Sequence, residues 1–401
     1  MSIADPSLHL RNTPGHDSIR VMIVDDAIVV RGLLVRWIEA EVGLQVVASL
    51  RGGREAIEQL ERTNPDVVIL DVDMPDIDGI TALPHLLEKK RDLVVIMSST
   101  LTRRNAEVSL RALSLGAADY IPKPESTGEI TASASFRRDL IEKIRALGGR
   151  RKQRPDPARA LPPGPPGARR APIGAPAAGT GLRHVASPET APASDSVTFK
   201  LRSLPSAPPR VLLIGSSTGG PQALGAIVGR ITGIIDQAPV LITQHMPPTF
   251  TTILAEILER AGGRPVHEAV DGEALRAGAI YIAPGGRHLR AIRRDGVPSV
   301  ALDDGPQINF CKPAVDPMFS SAAETWGGWN LALVLTGMGS DGTRGAADIV
   351  AAGGCVIAQD EDTSVVWGMP GSVTKAGLCS AVLPIDQIAA KLTHLFSGGR
   401  S

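Results

Sequence analysis

Val211 to Leu224 reads VLLIGSSTGGPQAL: an apolar β-type run, a turn of glycine and serine, then the start of a helix. A strand, tight turn and helix in this order lift a serine hydroxyl out of the carboxyl end of a sheet and aim helix N–H groups at whatever the serine attacks. Gly215, Ser217 and Gly219 satisfy the G-x-S-x-G spacing. Small neighbours let the backbone take strained angles and let a carbonyl approach closely, which makes Ser217 the first nucleophile candidate. Plain glycine-rich turns share this spacing, so the assignment needs partners elsewhere in the chain.

Those partners lie downstream. Strand PVLIT (Pro239 to Thr243) runs into Gln244-His245-Met246-Pro247-Pro248 and a helix expected from Phe250 to Ala261. A hairpin is expected over Ala279 to Ile292 around Pro284-Gly285-Gly286, with SVALDD after it. LALVLTG (Leu331 to Gly337) leads through Met338-Gly339-Ser340-Asp341-Gly342 into a helix ending near Ala352, and CVIAQ (Cys355 to Gln359) follows. In one parallel sheet the carboxyl ends of the strands face the same way, so Ser217, His245 and Asp341 can meet in one cleft. That set is what acyl transfer needs: a hydroxyl nucleophile, an imidazole to take its proton and a carboxylate to hold the imidazole tautomer. Backbone N–H groups around Thr218 and Gly219, or those of Met338 and Gly339, can serve a tetrahedral oxyanion. Asp341 could instead cap its helix and His245 could be an ordinary loop histidine. His267, His288, Asp303, Asp316 and Asp360 are rival bases and acids that the pattern does not place at strand ends.

Upstream, from Arg20 to about Leu147, five short β-branched runs alternate with amphipathic helical stretches, the pattern of a parallel sheet wrapped by helices. The strands are Val21–Val24, Leu44–Ala48, Asp66–Leu70, Leu93–Met97 and Asp119–Ile121. Asp25 and Asp26 follow the first, Asp71 the third, Ser98 the fourth and Lys123 the fifth, and in a doubly wound sheet these positions converge on one crevice. Three carboxylates there repel one another unless a hard divalent cation such as Mg²⁺ neutralises them. The ion and Lys123 can draw off charge as a phosphoryl group moves to Asp71, with Ser98 bonding a phosphoryl oxygen. Each residue alone has an ordinary structural role available, as cap, turn residue or solvated lysine. Their coincidence at four strand ends carries the phospho-acceptor reading.

A length of 401 residues favours two or three domains, and 42 basic against 42 acidic residues leave no net charge to favour nucleic acid or an anionic membrane. Cys311, Cys355 and Cys379 are an odd number with no CxxC spacing, against a disulfide framework or a zinc site; a reducing cytoplasm fits best. No apolar run reaches the ~18 residues of a membrane span, and residues 1–18 lack the features of a signal peptide, reading as a short disordered tail. Between about Arg150 and Pro209 the composition turns to Pro, Ala, Gly, Ser and Arg, including PPGPPG, which reads as a flexible linker spanning roughly 40 Å. The expected organisation is therefore a tail over 1–18, an α/β domain over 19–148, a linker over 149–209 and a second α/β domain over 210–397.

The motifs Ile23-Val24-Asp25-Asp26, Leu70-Asp71 through Asp78-Gly79, Met97-Ser98-Ser99 and Tyr120-Ile121-Pro122-Lys123-Pro124 resemble a two-component receiver domain, a flavodoxin-like, five-stranded parallel doubly wound fold. The resemblance implies that Asp71 accepts phosphate from a chemotaxis histidine kinase, and that Asp26 and Asp71 ligate Mg²⁺ with Asp25 assisting and the backbone carbonyl of Asp73 completing the set. The order Ser, His, Asp along the chain separates the second domain from α/β-hydrolases, which run Ser, acid, His. Gly215 to Gly220, Gln244 to Pro247, Ala283 to His288, Thr336 to Gly342 and Gln359 to Pro370 together resemble the chemotaxis protein-glutamate methylesterase (CheB) catalytic domain, an α/β fold with a mostly parallel sheet. This implies a Ser217, His245, Asp341 triad, with the N–H of Met338, beside that of Thr218, forming the oxyanion hole and no cofactor in the esterase site. The implied substrates are methylated glutamates, and glutamines, of membrane chemoreceptors, handled without nucleic acid or membrane insertion. Ser216 stands where alanine is usual and Asp73 where glutamate is common, and neither is expected to touch the chemistry. A dinucleotide-binding reading fails for want of an acid ending the second strand, where Thr243-Gln244-His245 stands. A transcriptional effector would need a basic recognition helix that the balanced charge does not offer.

Overall fold

A computed structural model describes residues 18–123, 134–153, 200–204 and 207–398, with side chains up to 149 in the second of these stretches. The expected tail, and the linker from 154 to 199, lie outside the described residues.

The first unit runs β1 (Ile19–Val24), α1 (Ile28–Glu39), β2 (Leu44–Leu50), α2 (Gly53–Thr63), β3 (Val67–Asp71), α3 (Gly79–Lys89), β4 (Val94–Thr100), α4 (Arg103–Ser114), β5 (Asp119–Lys123) and α5 (Ala134–Gln153). All pairings are parallel and the sheet order is β2-β1-β3-β4-β5. Sandwiching between helices explains the sequence: β3 is buried at every position, so VVILD carries no polar alternation. Local signals set the helix starts, with the Asp78 carboxylate accepting from Thr81 N and the Thr102 hydroxyl from Asn105 N. In α5 the buried residues Phe136, Leu140, Ile144 and Leu147 recur at helical spacing and close the outer face. Its backbone continues to Gln153, past 148.

The second unit is built on a seven-stranded sheet, every pairing of which is parallel. In chain order it contains β6 (Val211–Ser216), α6 (Gly220–Val228), the single turn α7 (Thr232–Ile235), β7 (Val240–Gln244), α8 (Phe250–Gly262), β8 (Val266–Glu268), β9 (Ile280–Ile282), β10 (His288–Arg294), β11 (Val297–Asp303), α9 (Val315–Trp326), β12 (Asn330–Val334), α10 (Thr343–Ala351), β13 (Cys355–Gln359), α11 (Met369–Lys375), β14 (Ala381–Leu383) and α12 (Ile385–Phe396). The sheet order β14-β13-β12-β6-β7-β9-β8 puts β6 in the middle, flanked by β12 and β7.

The hairpin expected over Ala279 to Ile292 is not formed. β9 joins the parallel sheet beside β7 and β8, and the antiparallel pair is β10 with β11, outside that sheet. Its turn is Asp295-Gly296, with φ of 50° and 81°, the Asp-Gly pairing that suits a two-residue hairpin turn. Pro284-Gly285-Gly286 is instead the loop that leaves the end of β9.

The two units touch. Tyr120 at the start of β5 stacks on Phe250 at the start of α8, with ring centroids 4.6 Å apart and planes 7° from parallel. Arg103 pairs with Glu256 at 2.7 Å across the same contact. The exposed ion pair contributes at most ~1 kcal/mol, so the buried aromatic stack is the stronger tie. Chain just before β6 already belongs to the second unit: Arg202 N–H donates to Cys379 O, and Leu204 packs on the core. Among the described residues no helix is long and apolar enough to cross a membrane.

Candidate active site and phospho-acceptor site

Ser217 follows the last residue of β6, and His245 the last of β7, on neighbouring strands with Ser216 in register with Gln244. Asp341 sits on the loop between β12 and α10. The parallel sheet thus brings the ends of three adjacent strands together, as the spacing predicts. The serine turn is tight because Gly219 takes a φ of 76° and begins α6 beside Pro221. A Cβ at Gly219 would lie 2.6 Å from Val365 Cβ. Gly219→Ala therefore combines a left-handed backbone with a clash, and should cost about 2–5 kcal/mol, read as a lowered denaturation midpoint together with lost activity.

His245 Nε2 lies 2.7 Å from Asp341 Oδ2. Asp341 is fixed by the amino end of α9: Val315 N–H donates to Oδ2 at 2.6 Å and Asp316 N–H to Oδ1 at 3.1 Å, while Gly342 N–H adds a third donor. Asp341 is not a side-chain cap of α10, whose N-cap is Gly342. Burial works against its charge, but the imidazole and these N–H groups outweigh it and hold the carboxyl below its ordinary value. Burial also pulls the His245 pKa down, yet the Cys311 sulfur 3.3 Å from Nδ1 and the Asp341 carboxylate reverse this and raise it to about 10. In this arrangement the imidazole holds its proton at neutral pH. Among the described residues no hydrogen bond joins it to the Ser217 hydroxyl.

A raised folded-state pKa stabilises fully below the unfolded value near 6.5 and loses that contribution as pH climbs toward 10. The unphosphorylated chain should therefore melt above its His245→Ala variant by a margin that is largest near pH 6 and shrinks by pH 10. A margin that stays flat would contradict the His245 environment described. The groups facing this imidazole are Asp341 and Cys311, with Asp316 behind Asp341. Burial, and then the Asp341 charge, raise Asp316 to about 6 against the lowering pull of Gly345 N–H.

The backbone N–H groups of Thr218 and Met338 donate to no acceptor among the described residues, and both flank the serine turn. Asp316 stands behind Asp341, and the other four rival residues are occupied elsewhere. His267 pairs with Glu273, His288 accepts from Ala314 N–H and faces Pro306 O, Asp303 pairs with Arg290, and Asp360 holds Thr363.

Three residues that lie in the motifs without an expected role brace the site. The Ser216 hydroxyl donates to Gln244 Oε1 at 2.7 Å, and Gln244 Nε2 donates to Ser217 O at 3.0 Å, tying the two catalytic loops together. Thr336 Oγ1 donates to Thr218 O at 2.8 Å, and its carbonyl accepts from Ser217 N–H. Buried polar residues next to predicted strand ends were the available signal. Ser216 is thus a support of the loop rather than an indifferent change from alanine.

In the first unit Asp25, Asp26 and Asp71 offer carboxylate oxygens that all lie within 4.8 Å of one another. Lys123 Nζ lies 2.6 Å from Asp25 Oδ2 and 2.8 Å from Asp71 Oδ2. Burial raises Asp71 to about 6, with Lys123 pulling it down and Asp25 pushing it up. Lys123 is lowered by burial but raised on balance by Asp71 and Asp25, and keeps its proton. Three carboxylates face one ammonium, leaving negative charge that a divalent cation fits. Among the described residues the buried Ser98 hydroxyl has no hydrogen-bond partner, an orphan of the kind an incoming phosphoryl oxygen would satisfy. Asp73 turns its carboxylate to Asn105 Nδ2 at 2.8 Å, so its side chain is committed outside this cluster.

The two sites are linked across the unit boundary. Asp119, at the start of β5, accepts from Lys143 and from the hydroxyl of Thr218, the residue next to Ser217, at 2.9 Å. Met338, Val365 and Val366, beside the serine turn, pack with the core that includes Phe136 of α5. The first unit lies against the rim of the candidate active site.

Comparison with known proteins adds the family. Residues 212–392 match the profile described as CheB methylesterase, and residues 21–135 that described as response regulator receiver domain. A protein-glutamate methylesterase/protein-glutamine glutaminase of group 2 operon from Rhodopseudomonas palustris is 59% identical over 401 residues, covering 100% of each chain. One from Bradyrhizobium diazoefficiens is 59% identical over 390 residues, covering 96% of this chain and 95% of that protein. The crystal structure of the Thermotoga maritima CheB methylesterase catalytic domain matches at 43% identity with a TM-score of 0.45, over 47% of this chain and 98% of that one.

Proposed function

Because the chain belongs to the CheB protein-glutamate methylesterase/protein-glutamine glutaminase family, we propose that Ser217, His245 and Asp341 carry its reaction and that the receiver governs access to them through Asp71. The protein is a phosphorylation-regulated hydrolase of chemotaxis: it removes methyl groups from receptor glutamate methyl esters and deamidates receptor glutamines.

In the proposed mechanism the Ser217 hydroxyl attacks the γ-carbonyl while His245 Nδ1, the nitrogen not bound to Asp341, accepts its proton. The tetrahedral oxyanion is met by the free N–H groups of Thr218 and Met338. Collapse expels methanol from an ester, or ammonia from an amide, with the proton returned by His245. Water then hydrolyses the acyl-serine by the same route and leaves a glutamate. The observation that carries this reading is the short His245–Asp341 bond inside a cradle of helix N–H donors at the carboxyl ends of adjacent strands.

A receiver takes its phosphate from a histidine kinase, in general with Mg²⁺. Here Asp25, Asp26, Asp71 and the Asp73 carbonyl are the proposed ligands, Asp71 the acceptor, and Ser98 and Lys123 the residues that sense the phosphoryl group. Held there, the ion would supply positive charge to offset that of the phosphoryl group, with the Lys123 ammonium beside Asp71 on the protein side. We take the receiver to run from 19 to the end of α5, the linker to follow it, and the catalytic domain to include the segment around Arg202 and Leu204 that packs on it and to run to 397, with the protein in the cytoplasm, acting on the inner part of membrane receptors. The test of the chemistry is methanol release from methylated receptor membranes by the purified protein; absence of methanol under every condition would contradict it.

A further inference from the structure

The second nitrogen of His245 is engaged by a group that the mechanism does not use. Cys311 Sγ lies 3.3 Å from Nδ1, the nitrogen that must receive the Ser217 proton, since Nε2 belongs to Asp341. Cys311 reaches it from a tight turn in which Ile308 and Cys311 exchange backbone hydrogen bonds of 3.1 and 2.8 Å. Between them Asn309 and Phe310 both take positive φ, 50° and 63°. An asparagine tolerates that region; a phenylalanine does so at a cost, and persists there only when something outside the turn holds it.

The receiver is that something. Phe310 is 68% exposed, and its ring is faced by the guanidinium of Arg138, on α5, at 3.8 Å from the centroid. The line of contact therefore runs from receiver helix to aromatic ring, along one peptide to the thiol, and from the thiol to the base.

We infer that the Ile308–Cys311 turn is a latch, in which Arg138 pins Phe310 so that Cys311, as a positioning residue, holds His245 Nδ1 away from Ser217 until the receiver withdraws. Covering the cleft and disabling the base are then two parts of one closed state. The high pKa of His245 fits, because a protonated imidazole is no base. The strain at Phe310 gives the turn a reason to relax once Arg138 leaves.

An interaction made only in the closed state sets how much of the protein is open, so deleting it raises the open fraction by the same factor. The inference rests on His245 as the base. Its test is methanol release by the full chain without phosphodonor. Cys311→Ala should raise kcat/KM roughly 2- to 10-fold, the size of one ordinary hydrogen bond, because a larger open fraction lowers the apparent KM. Cys311→Ser keeps a group that accepts from Nδ1–H and should stay at the wild-type basal rate. Arg138→Ala should raise the basal rate roughly 2- to 5-fold, as loss of a cation–π contact allows, and add little on top of Cys311→Ala. With saturating phosphodonor all variants should converge. A Cys311→Ala kcat/KM at or below wild type, or equal gains from alanine and serine, would overturn the latch. Full activity in His245→Ala would instead overturn the base assignment on which the latch depends.

Discussion

Ser217→Ala is expected to lower methanol release by about five to six orders of magnitude, with an unchanged circular dichroism spectrum. The effect is that large because the hydroxyl is proposed to make the covalent bond, and its neighbours on the turn are committed elsewhere, the Ser216 hydroxyl to Gln244 and that of Thr218 to Asp119. His245→Ala should cost about as much, since serine without its base is a poor nucleophile at neutral pH. Asp341→Asn should cost on the order of 10⁴-fold, because an amide can present its N–H to Nε2 and fix the wrong tautomer. The losses will not add, as the three act as a unit. Methanol release persisting in folded Ser217→Ala would remove the serine from the mechanism.

Asp71→Asn should abolish labelling by a small phosphodonor and, with it, all stimulation of the esterase, leaving only the basal rate. The amide cannot accept a phosphoryl group, and it also removes one of the three carboxylates around the cation site. Asp26→Asn should lose labelling through the cation alone, and Lys123 would remain paired with Asp25 and Asp71 in that variant. Phosphate at Asp71 would add negative charge beside Ser98 of β4 and Lys123 of β5. β5 also carries Tyr120 and Asp119, the residues that stack on Phe250 and bond Thr218. Mass spectrometry that finds the phosphoryl group on another residue in Asp71→Asn would contradict the acceptor.

Both sheets were legible because parallel strands buried on both faces are unbroken apolar runs, and the residue just past each run lands at a predictable edge. Asp25, Asp71, Ser98 and Lys123 were found this way, as were Ser217 and His245. The expected hairpin is displaced because Pro284-Gly285-Gly286 has turn composition yet only leaves the end of β9, whereas Asp295-Gly296 carries the stronger hairpin signal. The contacts of Asp119 with Thr218 and of Arg138 with Phe310 could not be read at all. They join residues on either side of a long Pro-rich segment, and no local pattern encodes which faces meet. Cys311 was equally invisible: a single cysteine has no period or spacing, and its meaning comes only from the imidazole it reaches. Gln244 and Thr336 stand in the motifs, but their bracing bonds are not legible there, because a buried amide or hydroxyl at a strand end has no pattern that names its partner.

The measurement closest to the heart of the account compares methanol release from methylated receptor membranes by three samples: the full chain alone, the full chain with a small phosphodonor, and a fragment beginning near Leu201. Loop closure costs little more for a long linker than for a short one, so the tether allows a closed receiver without enforcing it. The account predicts a low rate for the full chain alone, a higher rate with phosphodonor, and a fragment at least as fast as the phosphorylated protein without any donor. A fragment no faster than the unphosphorylated full chain would mean that the receiver does not restrain Ser217, His245 and Asp341.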